Sequence, residues 1–285
     1  MTVLDGIQKS ADFLGSKGVD SPRLQAELLL AHVLQLPRMQ LYLKFDRPLS
    51  EDETNRLREL VRRRGRREPL QHLVGSACFC GWNLEVNPHV LIPRPETELL
   101  AESAWTFLES RGDQPVAVLD FGTGSGCLAI AIAARLPAAR VTALDISTEA
   151  IEVARRNARA HQLETRIEFF HGDGWAALTD GAQFDLIVSN PPYIPSEEIP
   201  SLQPEVRDFD PRLALDGGTD GLDFYRLLAT GAGARLKSGG KIMLEFGDGQ
   251  SASIRSLFEN QKWIVEAVRD DYTQRPRILI AHPGA

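Results

Sequence analysis

From Val116 onward, short apolar runs alternate with longer helix-like ones, and this alternation constrains the chain more than any other feature. VAVLDF (116–121), RVTALD (140–145), RIEFFHGD (166–173), FDLIVSN (184–190), KIMLEF (241–246), WIVEAVRD (263–270) and RPRILIAH (275–282) read as strands. CLAIAIAARL (127–136), TEAIEVARRNARAHQ (148–162) and DGLDFYRLLATGAGARL (220–236) read as helices, and a further helix precedes the strand at 263–270. Parallel strands need helix-length crossovers, so this order predicts a mainly parallel α/β sheet with helices on both faces. The sequence contains no internal repeat and no low-complexity tract.

The region before this differs. Roughly the first 70 residues read as short helices, with Leu24, Leu28, Ala31 and Leu34 at helical spacing. Ser21-Pro22 is a predicted N-cap with proline at the first helical position, and Pro37 ends that helix. Ser50 followed by Glu53 predicts a capping box. Residues 72–92, HLVGSACFCGWNLEVNPHVLI, are rich in β-branched and aromatic residues with glycines at turns, and predict a hairpin. Pro93 and Pro95 stiffen the entrance to the next helix. The expected division is a helical domain over 1–71, a hairpin linker over 72–93 and the α/β domain over 94–285.

The net charge of −7 and pI of about 5.5 oppose a general nucleic-acid binder. One local exception is RLRELVRRRGRR, Arg56 to Arg67, which reads as a solvated helix face or as a docking patch for an acidic protein or RNA. No apolar run reaches the roughly 20 residues of a membrane span, and no signal peptide is recognised at the N-terminus. Cys78, Cys80 and Cys127 are too few and too oddly spaced for a disulfide framework or a zinc site. Cys78 and Cys80 read as strand residues on one face of the hairpin, and no metal is expected. A reducing cytoplasm fits this cysteine usage.

Two motifs carry chemistry. The strand 116–121 runs into Gly122-Thr123-Gly124-Ser125-Gly126, and a helix follows at once. In this architecture ligands bind beyond the carboxyl ends of the strands. A dinucleotide fingerprint, G-x-G-x-x-G, fails from Gly122, where Cys127 takes the third position. From Gly124 that position is Ala129, a residue some dinucleotide sites accept. The G-x-G-x-G form resembles the first motif of S-adenosylmethionine-dependent methyltransferases. Asp145 ends the second strand, 19 residues after Gly126, where a carboxylate accepts hydrogen bonds from ribose hydroxyls in either ligand class. Asp173 by hydrogen bond, or Trp175 by stacking, is expected to border the adenine.

The second motif is Asn190-Pro191-Pro192-Tyr193, at the end of the fourth strand. Two prolines have rigid φ angles and no N–H donors, so their carbonyls point in fixed directions. The Asn190 oxygen is expected to accept one N–H of a substrate NH₂ group, and the Pro191 carbonyl the other. That orients the nitrogen lone pair. Tyr193 offers a π face to a flat substrate and a cationic sulfonium. Alignment of two bound reactants supplies on the order of 7–11 kcal/mol. The expected function is therefore methyl transfer to a planar amide or amino nitrogen, without a metal or a covalent nucleophile.

VLIPRPETELL, DFGTGSGCLAIAIA, FDLIVSNPPYI, LALDGGTDGLDFY and LEFGDGQ closely resemble the release-factor glutamine methyltransferases, the HemK/PrmC family. The resemblance runs over nearly the whole chain. It implies a Rossmann-like seven-stranded class I methyltransferase domain, a small N-terminal helical domain that docks substrate, and a β-hairpin linker. It implies S-adenosylmethionine as cofactor, S-adenosylhomocysteine as product, and class I peptide-chain release factors as partners. The acceptor is the side-chain amide nitrogen of the glutamine in their Gly-Gly-Gln motif. By resemblance, Gly122 to Gly126, Asp145, Trp175 and Asn190 touch the cofactor, Asn190 to Tyr193 hold the glutamine, and Phe79 lines the substrate entrance. A cytoplasmic monomer without stable nucleic-acid binding is expected. Asp210-Pro211 departs from the family's glutamate-proline, and the GDGW segment (172–175) leaves the adenine contact open. Two alternatives are a DNA or RNA exocyclic-amino methyltransferase, which uses a similar Asn-Pro-Pro-Tyr loop, and a non-catalytic module that binds ribosome-associated proteins.

Overall fold

The computed structural model describes residues 1–112 and 114–284. The chain forms two compact units: Met1–Ser76 with Gln203–Phe209, and Ala77–Leu202 with Asp210–Ala285.

The first unit is helical: α1 (Val3–Ser16), α2 (Pro22–Leu34), α3 (Arg38–Leu41), α4 (Glu51–Arg64) and α5 (Leu70–Val74). The capping box at Ser50 and Glu53 forms as predicted, and Thr2 with Asp5 makes a second. Ser21 does not cap α2. Its backbone is left-handed (φ 47°), whereas the extended geometry that aims a side-chain oxygen at the first N–H groups is needed for a cap. The buried apolar residues of α2 are Ala26, Leu29, Leu30, Ala31 and Val33. Of the residues at the predicted helical spacing, Ala31 is buried and Leu34 packs against the core, whereas Leu24 is 42% exposed. Glu27, on the same helix, is buried and accepts from Arg38 and Tyr42.

The second unit starts with a hairpin, β1 (Ser76–Phe79) and β2 (Trp82–Glu85). Cys80 lies in its turn with φ 48°, so it does not share a strand face with Cys78. Then come α6 (Pro95–Glu109), β3 (Val116–Phe121), α7 (Cys127–Arg135), β4 (Ala139–Asp145), α8 (Thr148–Ala160), β5 (Ile167–His171) and β6 (Phe184–Ser189). A short α9 (Pro204–Arg207) belongs to the helical unit. There Glu205 Oε1 accepts from Arg64 at 2.8 Å and from Arg67 at 2.7 Å. Arg62 and Arg63 pair with Glu59 and Glu68. Much of the Arg56–Arg67 charge is thus neutralised within its own unit. The chain finishes with α10 (Asp223–Gly231), β7 (Leu236–Glu245), α11 (Ser251–Asn260), β8 (Trp263–Asp270) and β9 (Pro276–Pro283). The helix predicted over 220–236 is α10 followed by a 3₁₀ turn at Ala232–Arg235, consistent with Gly231 and Gly233 weakening its end.

The seven-stranded sheet has the order β5-β4-β3-β6-β7-β9-β8. All neighbours are parallel except β7–β9 and β8–β9. β3 has β4 on one side and β6 on the other, so the strand order reverses there and opens a crevice at the carboxyl ends. The hairpin is welded to this unit. Phe79 and Leu84 are buried in the same apolar core as Leu100, Val118 and Leu128. Buried Asn157 on α8 donates to the carbonyls of Glu85 and Ser125, and its oxygen accepts from the Glu85 N–H at 2.7 Å. One side chain so ties the hairpin to the glycine loop.

Candidate active site

The crevice beside β3 is a cleft of about 220 Å³. Gly122 and Gly124 form one wall with φ of 78° and 55°, in the region that favours glycine. A Cβ added to either meets no atom within 4 Å, so the space beside the loop is open to a ligand backbone or sugar. Beneath the loop, Asp120 Oδ2 accepts from Thr123 Oγ1 at 2.6 Å and from the Ala129 N–H at 3.2 Å. Burial pushes the Asp120 carboxyl up to about 7. Asp145 ends β4 and lines the cleft. Its Oδ2 accepts from the Gly124 N–H at 2.8 Å, and its Oδ1 from the Ser147 N–H at 2.9 Å. Burial raises its pKa while these N–H groups oppose the rise. An ionised carboxylate has about four acceptor sites, so both oxygens keep capacity for hydroxyls. The open glycine cradle and this acid fit the ribose and methionine portions of S-adenosylmethionine.

Asn190 follows β6 and lines the same cleft. Its Nδ2 donates to Thr97 Oγ1 at 3.1 Å, and the Thr97 hydroxyl donates to Glu245 Oε2 at 2.7 Å. The loop after Asn190 is braced from two sides. Gln250 Nε2 donates to the Tyr193 carbonyl at 2.9 Å, while Ile194 exchanges backbone bonds with Leu215 and Gly217. Burial pushes the Tyr193 phenol above its ordinary pKa, so it stays neutral.

Gly122, Thr123, Gly124, Ser125, Asp145, Asn190 and Pro192 come together along the cleft. Five other expected site residues lie outside its lining. Gly126 packs towards Ala154, where an added Cβ would lie 3.1 Å from the alanine Cβ. Pro191 is buried beside the lining, and Tyr193 packs partly into the core. Trp175 leans on Phe121 with ring centroids 4.9 Å apart, and its indole N–H is given to the Leu227 carbonyl. Of the two adenine-side candidates, Asp173 is the one that lines the cleft. Phe79 is 1% exposed, held in the core by the hairpin rather than at an entrance.

The sequence reading assigned no role to Thr97 or Glu245. Both lie inside segments that carried the resemblance, PETE and LEFG, but they are 148 residues apart and no local pattern joins them. It also missed Leu213, which is 67% exposed at the cleft, and the Arg94–Asp210 ion pair at 2.6 Å. Burial pushes the Asp210 carboxyl up to about 6, with Arg94 opposing. Among the described residues, no group of three His, Cys, Asp or Glu could hold a metal ion. Among the described residues, no helix is long and apolar enough to cross a membrane.

A solved methyltransferase from Pyrococcus furiosus superposes on 72% of this chain and 90% of its own, with a TM-score of 0.52 at 22% identity. The sheet order and the glycine loop beside the reversal point are those of a methyltransferase fold. Two family profiles match parts of the chain: the PrmC N-terminal domain over residues 6–75 and the Methyltransferase small domain over residues 97–201. A release factor glutamine methyltransferase from Geobacter sulfurreducens is 48% identical, over 86% of this chain and 84% of its own. Another from Chlorobaculum tepidum is 45% identical, over 94% of this chain and 93% of its own. The chain belongs to the release factor glutamine methyltransferase family.

Proposed function

We propose that this enzyme transfers a methyl group from S-adenosylmethionine to the side-chain amide nitrogen of the Gly-Gly-Gln glutamine in class I release factors, in the cytoplasm. The observation that carries the reading is the placement of Asn190, with its Nδ2 occupied by Thr97, on the cleft that Gly122, Gly124 and Asp145 also line. The names of the relatives favour an amide acceptor over a nucleic-acid amino group.

The bound cofactor supplies an electrophilic methyl group on a sulfonium. The chain supplies positioning. The loop from Gly122 to Ser125 would take the methionine end against its backbone, and Asp145 would accept hydrogen bonds from the ribose hydroxyls. Asn190 Oδ1 accepts one N–H of the glutamine amide, and the carbonyl of Pro191, buried just beside the cleft lining, takes the other. An amide lone pair is delocalised into its carbonyl, so a nitrogen free to rotate rarely presents it. Two fixed acceptors remove that freedom and draw electron density onto nitrogen, and the proton that nitrogen sheds on methylation leaves along one of these hydrogen bonds to water. Residues 1–71 dock the release factor.

Methyl transfer from radiolabelled S-adenosylmethionine to a release factor, compared with its Gln→Ala variant, tests the reading. Label is expected on the first and not on the second. Equal labelling of both, or labelling of nucleic acid alone, overturns it.

A further inference from the structure

A carboxamide has two ends of nearly equal shape and opposite hydrogen-bonding character. For Asn190 to accept a substrate N–H, its oxygen must face the substrate and its NH₂ must be held elsewhere. Nothing within the Asn-Pro-Pro-Tyr motif enforces this, because the prolines have no N–H and the next side chain is a tyrosine.

We propose that Thr97 and Glu245 are positioning residues that fix which end of the Asn190 carboxamide faces the substrate. This rests on the reading that the acceptor is an NH₂ group. Glu245 ends β7 and is 2% exposed. Thr97, in the first turn of α6, is equally buried. As a carboxylate, Glu245 has no proton to give, so the Thr97 hydroxyl must donate its single proton to Oε2, at 2.7 Å. Thr97 Oγ1 is then left with lone pairs only. What approaches it at 3.1 Å must be a donor, which makes it the Asn190 NH₂. The carboxamide oxygen is thereby turned away from Thr97. A carboxylate two hydrogen bonds distant so sets the polarity of the group that meets the substrate.

The relay has a pH signature. Burial pushes the Glu245 carboxyl up to about 7. Arg277 and Arg94 lower it and Glu96 raises it. Tyr193 and Tyr225 are the phenols nearby, and Tyr225 donates to the Glu245 backbone carbonyl at 2.8 Å. Once protonated, Glu245 can donate to Thr97. The hydroxyl is then free to donate to Asn190 and favour the flipped carboxamide. Turnover should therefore rise as pH rises through about 7.

The test uses the full-length enzyme, S-adenosylmethionine and a release factor. Thr97→Val keeps the shape and loses the hydroxyl. We expect kcat to fall about fivefold, the value of one net hydrogen bond, with cofactor Kd held. Thr97→Ser should recover most of the loss. In an Asn190→Asp background, Thr97→Val should cost much less, because a carboxylate has no wrong end. Glu245→Gln should flatten the rise in kcat near neutral pH. Wild-type kcat in Thr97→Val, equal losses in both backgrounds, or a loss matched by weaker cofactor binding overturns the proposal. A wild type that leaves release factors unlabelled overturns the function reading instead, and the two failures are distinct.

Discussion

The Gly124 N–H donates to Asp145 Oδ2 at 2.8 Å, joining the glycine loop after β3 to the acid that ends β4. One carboxylate therefore shapes the cradle, and the proposed function also gives it the ribose hydroxyls. Asp145→Ala removes both roles. A hydrogen bond to a charged group contributes roughly 1.5–3 kcal/mol, so cofactor affinity should fall at least tenfold. Titration calorimetry checks this, and unchanged affinity would remove Asp145 from the site.

Gly124 and Gly126 are both left-handed, yet they should fail in different ways. A Cβ on Gly124 meets nothing within 4 Å, whereas one on Gly126 lies 3.1 Å from the Ala154 Cβ. Each alanine incurs about 1–2 kcal/mol of backbone strain. Gly126→Ala adds overpacking against α8, typically about 1–3 kcal/mol. Gly124→Ala should therefore impair cofactor binding more than folding, and Gly126→Ala should show the larger drop in Tm. Paired thermal melts and cofactor titrations separate the two.

Asn190→Ala should lower kcat by about 10²–10³-fold, by analogy with deleting one preorganised hydrogen-bonding group. Asn190 sits at the end of a strand and is only half buried, so the Tm should change little. Asn190→Asp keeps an acceptor and should fall between wild type and alanine. Single-turnover methylation at the wild-type rate by the alanine variant would rule out the proposed role.

Asp120 binds its proton more tightly folded than unfolded, since burial lifts its pKa from 3.8 to about 7. Between those values the folded chain keeps a proton that the unfolded chain has released. Stability from this group therefore falls as pH rises through that window and levels off above it. Glu245 behaves alike, so Asp120→Asn should remove part of the slope and leave the rest. Melting curves from pH 5 to 8 check it. A slope unchanged in Asp120→Asn would assign the pH dependence to other groups.

The sheet strands were legible because a buried parallel strand needs a continuous apolar run, and VAVLDF or FDLIVSN cannot serve as anything else beside such helices. The glycine loop and Asp145 were legible for a related reason: strand ends beside short turns are set by local backbone demands. The burial of the apolar residues of α2 was legible only in part. Two overlapping sets of apolar residues both had helical spacing, and packing chose Leu29 and Leu30 over Leu24. Trp175 and Phe79 have the look of ligand-facing aromatics, but the packing of half-buried Trp175 on Phe121 and the burial of Phe79 in the core depend on neighbours far along the chain.

By itself, then, the sequence determined the element order, the glycine loop after β3, the acid that ends β4 and the Asn-Pro-Pro-Tyr turn. Each rests on chain chemistry spanning a few residues. Only the tertiary structure decided that α9 belongs with the helices of the first 76 residues, that Asn157 clamps the hairpin to the glycine loop, and that Thr97 and Glu245 stand behind Asn190. These are contacts between groups tens to more than a hundred residues apart. Their partners are chosen by packing and by the requirement that buried polar atoms be satisfied, which no local pattern encodes.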